Sequence, residues 1–310
     1  MSEDQDKIKI TLPSKLIKFL ASDNLSLQLI FLKHEKDGYV SSHINLDTDS
    51  MEEIRKSCQK FMKYREKWDE LEYSVEQDND KKHGVFRTIT ANQIPNKGNI
   101  LKKDTTLEDT ITKELTDKTK WIGFRFENKE HKFIFLLKKI SSNYFVLTEH
   151  KKFHFVIKGI AKLFDDNLVK FPGDFDVVQY GDTLLIFNPY QFEELFSYHL
   201  IHEEYRKQVF NYFRKRADYK IHNLDLYEGI IMNNKSLLRK FGPIIEKQIY
   251  NKKLTAIQKV LKIRKVKTLQ IDGKTLKFDS SKALVNFFND NHLTSLFTKK
   301  NYTVHSKTEE

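Results

Sequence analysis

The sequence predicts an α+β protein: a small N-terminal α+β domain with one long helix, then an antiparallel sheet followed by a C-terminal helical region. Three observations carry that prediction. Between Trp121 and Phe187, short apolar segments of strand length follow one another with turn residues between them. From Pro189 onward the apolar residues recur every three or four positions. Ahead of both, Ile54, Cys58, Phe61, Met62, Arg65, Trp68 and Leu71 fall at helical spacing. The boundary is placed after residue 115, giving domains 1–115 and 116–310.

In the first domain, residues 27–32 form an apolar run that ends at a charged turn with Gly38, and 39–44 resume in extended character, which reads as a hairpin. Acidic residues at Asp49, Glu52 and Glu53 mark a helix start. The helix they open is expected to run to about Val75, with Cys58 on its apolar stripe as a small buried hydrophobe. A polar break at 78–82, an extended piece at 85–94 and a turn cluster at 95–99 complete the unit.

The second domain opens with the alternating segment 121–127. Segments 133–140, 144–148, 153–158, 168–171, 175–180 and 182–187 continue it, with turns at Asn143, Gly159, Pro172-Gly173 and Gly181. Strands without intervening helices imply an antiparallel meander. Phe192, Leu195, Phe196, His199 and Leu200 then share one helical face, followed by Tyr205, Val209, Tyr212 and Phe213. Helical pattern continues over 235–249, broken at Gly242-Pro243, and through Leu254, Ile257, Val260 and Leu261. A hairpin around Asp272-Gly273-Lys274 and a last helix from Ser280 close the chain.

With 310 residues, 24 Phe and 13 Tyr, the chain has ample apolar volume for a core. One Cys cannot close an internal disulfide or supply a Cys-rich zinc site, which fits a reducing cytoplasm. The first eleven residues are charged and lack the apolar core of a signal peptide, and no window approaches 18 apolar residues. A cytoplasmic protein that does not itself span a membrane is expected.

The formal charge is +11, and its distribution is uneven. Residues 1–234 hold 37 Lys and Arg against 37 Asp and Glu, whereas residues 235–310 hold 17 against six. Arg239, Lys240, Lys247, Lys252, Lys253, Lys259, Lys262, Arg264, Lys265 and Lys267 stand in one stretch whose single acid is Glu246. Clustering of that kind is the footprint of a polyanion-binding surface. Arg214, Lys215 and Arg216 extend it if the helices pack side by side. The competing reading is a solvated lysine coat, but Asp and Glu accompany Lys before residue 234 and not after it. Duplex DNA held without strong sequence preference is the best-fitting ligand, and an anionic membrane surface or an acidic protein is the competing partner.

Motifs for catalysis are sparse. No GxGxxG, GxxxxGK[ST] or serine-hydrolase elbow occurs, so no nucleotide cofactor of those types is expected. His150 with His154, and His199 with His202 beside Glu203 and Glu204, do not form an HExxH motif, and no metal is expected. Glu-x-Lys occurs at Glu127–Lys129, Glu130–Lys132 and Glu149–Lys151, the first with Asp117 upstream. That loosely matches a metal-dependent nuclease, but about three such triplets arise by chance at this composition. The chain is therefore expected to bind rather than cut, with a nuclease using Glu127 and Lys129 as the alternative. Tyr205, Tyr212 and Tyr219, seven apart, fit a helical core stripe better than a base-stacking platform.

Phe171-Pro172, Phe175-Asp176-Val177-Val178, the run from Asp182 to Asn188 and the helix opening Gln191-Phe192-Glu193-Glu194-Leu195-Phe196 form one set of motifs. Leu284, Phe287-Phe288-Asn289-Asp290, Leu293 to Thr298 and Tyr302 form another, with Lys299 where a Gly would suit the turn. On these residues the chain from about 120 to 310 resembles the KwaB-like family, named for the B protein of the bacterial Kiwa anti-phage defence system. The resemblance implies a cytoplasmic DNA-binding effector of anti-phage defence, a homodimer, acting beside a small multi-span membrane protein. It names no catalytic residues.

Overall fold

The computed structural model describes residues 11–35, 38–76, 83–94, 106–108, 112–141, 144–146, 153–157, 160–164, 168–264, 266–290, 292–294 and 301–303. The chain divides into two compact units, Met1–Glu72 with Lys81–Phe192 and Tyr73–Asp80 with Glu193–Glu310.

The first unit is built on a nine-stranded sheet. Its strands are β1 (Ser26–Glu35), β2 (Gly38–Asn45), β3 (Asp69–Glu72), β4 (Val85–Thr90), β5 (Thr106–Leu107), β6 (Thr119–Glu127) and β7 (Phe133–Lys139). After β8 (Phe145–Val146), β9 (Phe153–Ile157), β10 (Ile160–Phe164) and β11 (Leu168–Val169), the sheet is completed by β12 (Val177–Tyr180) and β13 (Thr183–Ile186). The spatial order is β3-β4-β13-β12-β7-β6-β1-β2-β5. Strands β8 and β11 pair with each other, as do β9 and β10, so the expected meander is interrupted between β7 and β12. The inner pairs are antiparallel, and a parallel pair stands at each edge, β2 with β5 and β3 with β4.

One row crosses five strands: Leu29 faces Phe124, which faces Leu136, then Val178, then Leu185, all buried. The row is built from strands on either side of residue 115. Strand β1 pairs with β6 along most of its length, so the N-terminal strands and those after residue 116 share one sheet and one core. On β6, Gly123 leaves room for Phe135, whose ring edge would lie 2.4 Å from an added Cβ.

Helices α1 (Leu12–Leu20) and α2 (Thr48–Lys63) add their apolar stripes to that core. Thr11 caps α1 through the Ser14 N–H, and Asp47 caps α2 through the Ser50 N–H. Cys58 is fully buried on α2, and burial pushes its thiol pKa up, consistent with its expected place in the core. Helix α2 is shorter than its apolar spacing predicts. Arg65 turns back at its C-terminus, donating to the Phe61 carbonyl at 2.9 Å and stacking over the Phe61 ring at 3.5 Å. Trp68 and Leu71 therefore lie beyond the helix, and the chain enters β3 at Asp69. A short helix, α3 (Lys113–Lys118), precedes β6.

Helix α4 (Pro189–Leu195) runs across the division at Phe192, and the second unit continues with α5 (His199–Lys215), β14 (Lys220–Ile221), α6 (Leu224–Met232), α7 (Lys235–Arg239), α8 (Phe241–Lys247) and α9 (Leu254–Arg264). The hairpin β15 (Leu269–Asp272) and β16 (Thr275–Phe278), α10 (Ser281–Phe288), β17 (His292–Thr294) and β18 (Asn301–Thr303) complete it. Gly273 takes the left-handed conformation the hairpin turn requires, and Ser280 caps α10 as its sequence predicts. The break expected at Gly242-Pro243 falls earlier, at Lys240. The pair sits in the first turn of α8, where a proline costs no hydrogen bond. A Cβ on Gly242 would lie 2.1 Å from the Val75 carbonyl oxygen, so the glycine lets the 73–76 segment lie against α8. Phe210, Phe213, Phe241, Leu276, Leu284 and Phe288 are central to this second core.

Candidate nucleic-acid interface

The basic stretch is positioned by the end of α5. The chain leaves α8 through Gln248 in the left-handed region, makes one 3-10 turn over Ile249–Asn251, and enters α9. Arg216, just past α5, grips that turn. Its guanidinium donates to Asp218 Oδ1 at 2.7 Å and Oδ2 at 2.8 Å, to the Tyr250 carbonyl at 2.6 Å and to the Lys252 carbonyl at 2.9 Å. It also lies over the Tyr219 ring at 4.1 Å. Asp218 Oδ2 in turn accepts the Leu254 N–H at 3.2 Å, at the first turn of α9. The Arg216 hydrogen bonds hold the Asp218 pKa down to about 2.

The thirteen cations of the predicted surface meet different fates. Arg214 pairs with Asp225 at 2.7 Å and with Glu228, and Arg264 pairs with Asp290. Lys247 donates to the Asn289 carbonyl at 2.9 Å and its Oδ1 at 3.1 Å, tying α8 to the end of α10. Lys240 is half-buried, and Lys265 lies outside the described residues. Arg239 is drawn inward to Glu193. What remains exposed, with no ion pair among the described residues, is a set of lysines: Lys215, Lys252, Lys253, Lys259, Lys262 and Lys267. On α9, Ile257 is buried and Lys259 and Lys262 face solvent, as the spacing predicts. No Asp or Glu occurs between residues 249 and 264. The arginines of the predicted surface thus hold the fold together, as Lys247 does, and six of its lysines carry the open charge.

Sequence reasoning passed over the buried network around Glu193. Its carboxylate accepts from Tyr73 Oη at 3.1 Å and from Arg239 Nη2 at 2.9 Å, with His202 Nε2 at 3.4 Å. Tyr73, Glu193, Tyr198 and His202 are all at most 5% exposed. Burial raises the Glu193 pKa, but hydrogen bonds from His202 and Arg239 with their charges outweigh it and leave the carboxyl below its ordinary range. Burial first, then the Glu193 charge, raises the Tyr73 and Tyr198 phenols. Closed from solvent, the network fastens the 73–76 segment to α4, α5 and α7, and Tyr205 Oη adds a bond to Glu76 at 3.1 Å. Only Tyr73, Glu193 and Arg239 together would have revealed it, and they lie 120 and 46 residues apart.

The tyrosine stripe divides. Tyr205 is half-buried, Tyr212 is 38% exposed, and Tyr219 lies past the end of α5 with its ring in the core. His202 turns inward, so the pair with His199 is not assembled; among the described residues no group of three His, Cys, Asp or Glu side chains could hold a metal. His150 and the Glu149–Lys151 triplet lie outside the described residues. Glu127 is occupied by Arg125 at 3.4 Å and His131 at 2.9 Å. Asp117 precedes β6 and Glu127 ends it, so a nine-residue strand, about 30 Å when extended, separates them. The structure does not bring the loose nuclease match together.

Among the described residues no helix is long and apolar enough to cross a membrane. Residues 116–298 match the family described as Kiwa protein KwaB-like, a stretch that takes in β6 and β7, β12 and β13, and the part of the second unit from Glu193 through β17. No curated protein and no solved structure matches the chain. The match spans more than half of the sequence and contains all the motifs of the resemblance except Tyr302; the chain belongs to the KwaB-like family and is associated with Kiwa anti-phage defence.

Proposed function

We propose that this chain is a non-enzymatic effector that binds double-stranded DNA largely without sequence preference, through the exposed lysines on and around α9. The observation that carries the reading is the fate of the charges: Lys252, Lys253, Lys259, Lys262 and Lys267 stand exposed without acidic partners among the described residues. Lysines presented this way meet phosphates singly, which gives affinity through counterion release and little reading of bases. With six lysines engaged, Lys215 included, raising salt from 50 to 200 mM costs about 10³-fold in affinity. Family membership supports a working unit in which a homodimer of this chain acts beside a small multi-span membrane protein of the same system, at the inner face of the cell membrane.

A gel-shift titration with labelled duplex at two salt concentrations, in Mg²⁺ or EDTA, tests the reading. Salt-sensitive shifting with intact DNA is expected. Replacing Lys252, Lys253, Lys259 and Lys262 together by Glu abolishes it while thermal stability stays near wild type, and retained binding would sink the site. Mg²⁺-dependent cleavage lost in Glu127→Ala would establish a nuclease instead. Tighter binding to anionic liposomes than to DNA at matched salt would make the lysine face an adaptor surface.

A further inference from the structure

We propose that Arg216 and Asp218 form a clamp that positions Lys252, Lys253 and α9 for DNA, and that neither residue contacts DNA itself. The proposal rests on the DNA-binding reading above and assigns Arg216 a different role from the phosphate contact its sequence neighbourhood implies.

An arginine has five N–H groups, and Arg216 commits four of them to Asp218 and to the Tyr250 and Lys252 carbonyls. Its side chain is 7% exposed, and the rings of Tyr219 and Tyr212 lie 4.1 and 5.1 Å from its guanidinium carbon. Little of it is left for a phosphate. What it does reach is the backbone that carries the lysines. The Tyr250 carbonyl accepts a second bond, from Tyr219 Oη at 3.1 Å, and Asp218 holds the Leu254 N–H. Residues 250, 252 and 254 are thus tied to residues 216–219 at alternate positions. Lys252 and Lys253 stand between fixed peptide groups, so their backbone is ordered before DNA arrives. That ordering cost is met in folding and is not charged against binding.

The clamp and a plain electrostatic account predict opposite signs at one position. Asp218 is an anion joined by hydrogen bonds to the base of the lysine edge. On charge alone, Asp218→Asn removes a repulsive charge and tightens DNA binding. With a clamp, it breaks the bidentate pair and loosens the turn, so binding weakens about tenfold, the loss of one charge-assisted contact. Arg216→Lys separates the accounts again: it keeps the charge but cannot span Asp218 and two carbonyls, so a similar loss is expected. Tyr219→Phe, which removes only a hydroxyl from a buried ring, weakens binding about threefold and covers the case in which the other variants fold poorly.

The experiment is the duplex titration on the full chain for wild type and the three variants, with amide exchange at Leu254 read in parallel. The expected result is faster Leu254 exchange together with weaker binding in all three. A wild type that binds beside an Asp218→Asn variant that binds equally or more tightly overturns the clamp alone. Faster exchange with unchanged affinity in Tyr219→Phe overturns it as well. A wild type that shifts no DNA overturns the DNA-binding reading and the clamp's role with it.

Discussion

On and just after α5, Arg206, Lys207, Arg214, Lys215 and Arg216 stand within eleven residues; around α9, Lys252, Lys253, Lys259, Lys262 and Arg264 stand within thirteen. Their linear densities are nearly equal, but their surroundings are not. The first group meets acids from α6 and from the loop between α5 and β14: Glu228 takes both Arg206 and Arg214, Asp225 takes Arg214, and Asp218 takes Arg216. In the second, Arg264 pairs with Asp290, while Lys252, Lys253, Lys259 and Lys262 hold no carboxylate among the described residues. All three arginines of the first group are structural, whereas four lysines of the second stay open. A run of cations in sequence is therefore not a basic surface until the acids that fold beside it have been subtracted. Residue type sorts with role here. The planar, many-donor guanidinium is used where several acceptors must be joined, and the ammonium where charge faces water.

The contrast is expected to break most visibly in the proposed DNA binding. Changing Lys252, Lys253, Lys259 and Lys262 together to Ala lowers affinity by about 10³ at 0.1 M salt and the salt slope by about 3.6. Stability stays within about 0.5 kcal/mol, because none of the four is buried. The α5 group behaves in reverse. Arg206 is 5% exposed, and Arg206→Ala leaves Glu228 without its buried partner, which costs about 3 kcal/mol in urea unfolding. Arg214→Ala is milder, since its side chain is 42% exposed. A loss of about 0.5 kcal/mol is expected, with DNA affinity within twofold of wild type. A tenfold loss of affinity in Arg214→Ala would erase the distinction between the groups.

The elements most legible in the sequence were those whose signal is local. The β1–β2 hairpin, the β15–β16 hairpin with its Gly273 turn and the Ser280 cap each follow from residues within a few positions of one another. Helix α1 is equally local, with Thr11 and Pro13 at its start and Leu16, Phe19 and Leu20 inward. Other features were set by partners far along the chain. The end of α2 depends on Arg65 turning back to Phe61, against a stripe that continues to Leu71. The sheet joins β1 to β6 across the intervening residues 36–118, which no periodicity announces. For the site, helical spacing placed Lys259 and Lys262 outward and Ile257 inward correctly. It could not show that Arg214, Arg216 and Arg239 would be consumed by Asp225 and Glu228, Asp218 and Glu193, because those pairings exist only once the helices have packed.

The same comparison has a smaller signature in acid. The Asp218 pKa falls from its ordinary value of 3.8 to about 2 through its bonds to Arg216, so the folded state favours the ionised form. A carboxyl with a lowered folded-state pKa contributes stability that is complete above the unfolded value and fades as pH falls to the folded one. The window is therefore from about pH 4 down to about pH 2. In Asp218→Asn that contribution is missing at every pH. The gap in unfolding free energy between wild type and variant should hold constant above about pH 5 and close on acidification through the window. Glu193, also held below its ordinary range, fades in the same direction, but it is present in both proteins and cancels from the difference. The lysine variants provide the contrast. Lys252, Lys253, Lys259 and Lys262 hold no carboxylate among the described residues, so their removal should leave the gap to wild type flat over the same range in urea unfolding at stepped pH. A gap that narrowed for the lysine variant as it does for Asp218→Asn would mean those lysines carry acidic partners in solution. Their charge would then be engaged within the protein, like that of the α5 arginines, and unavailable to DNA.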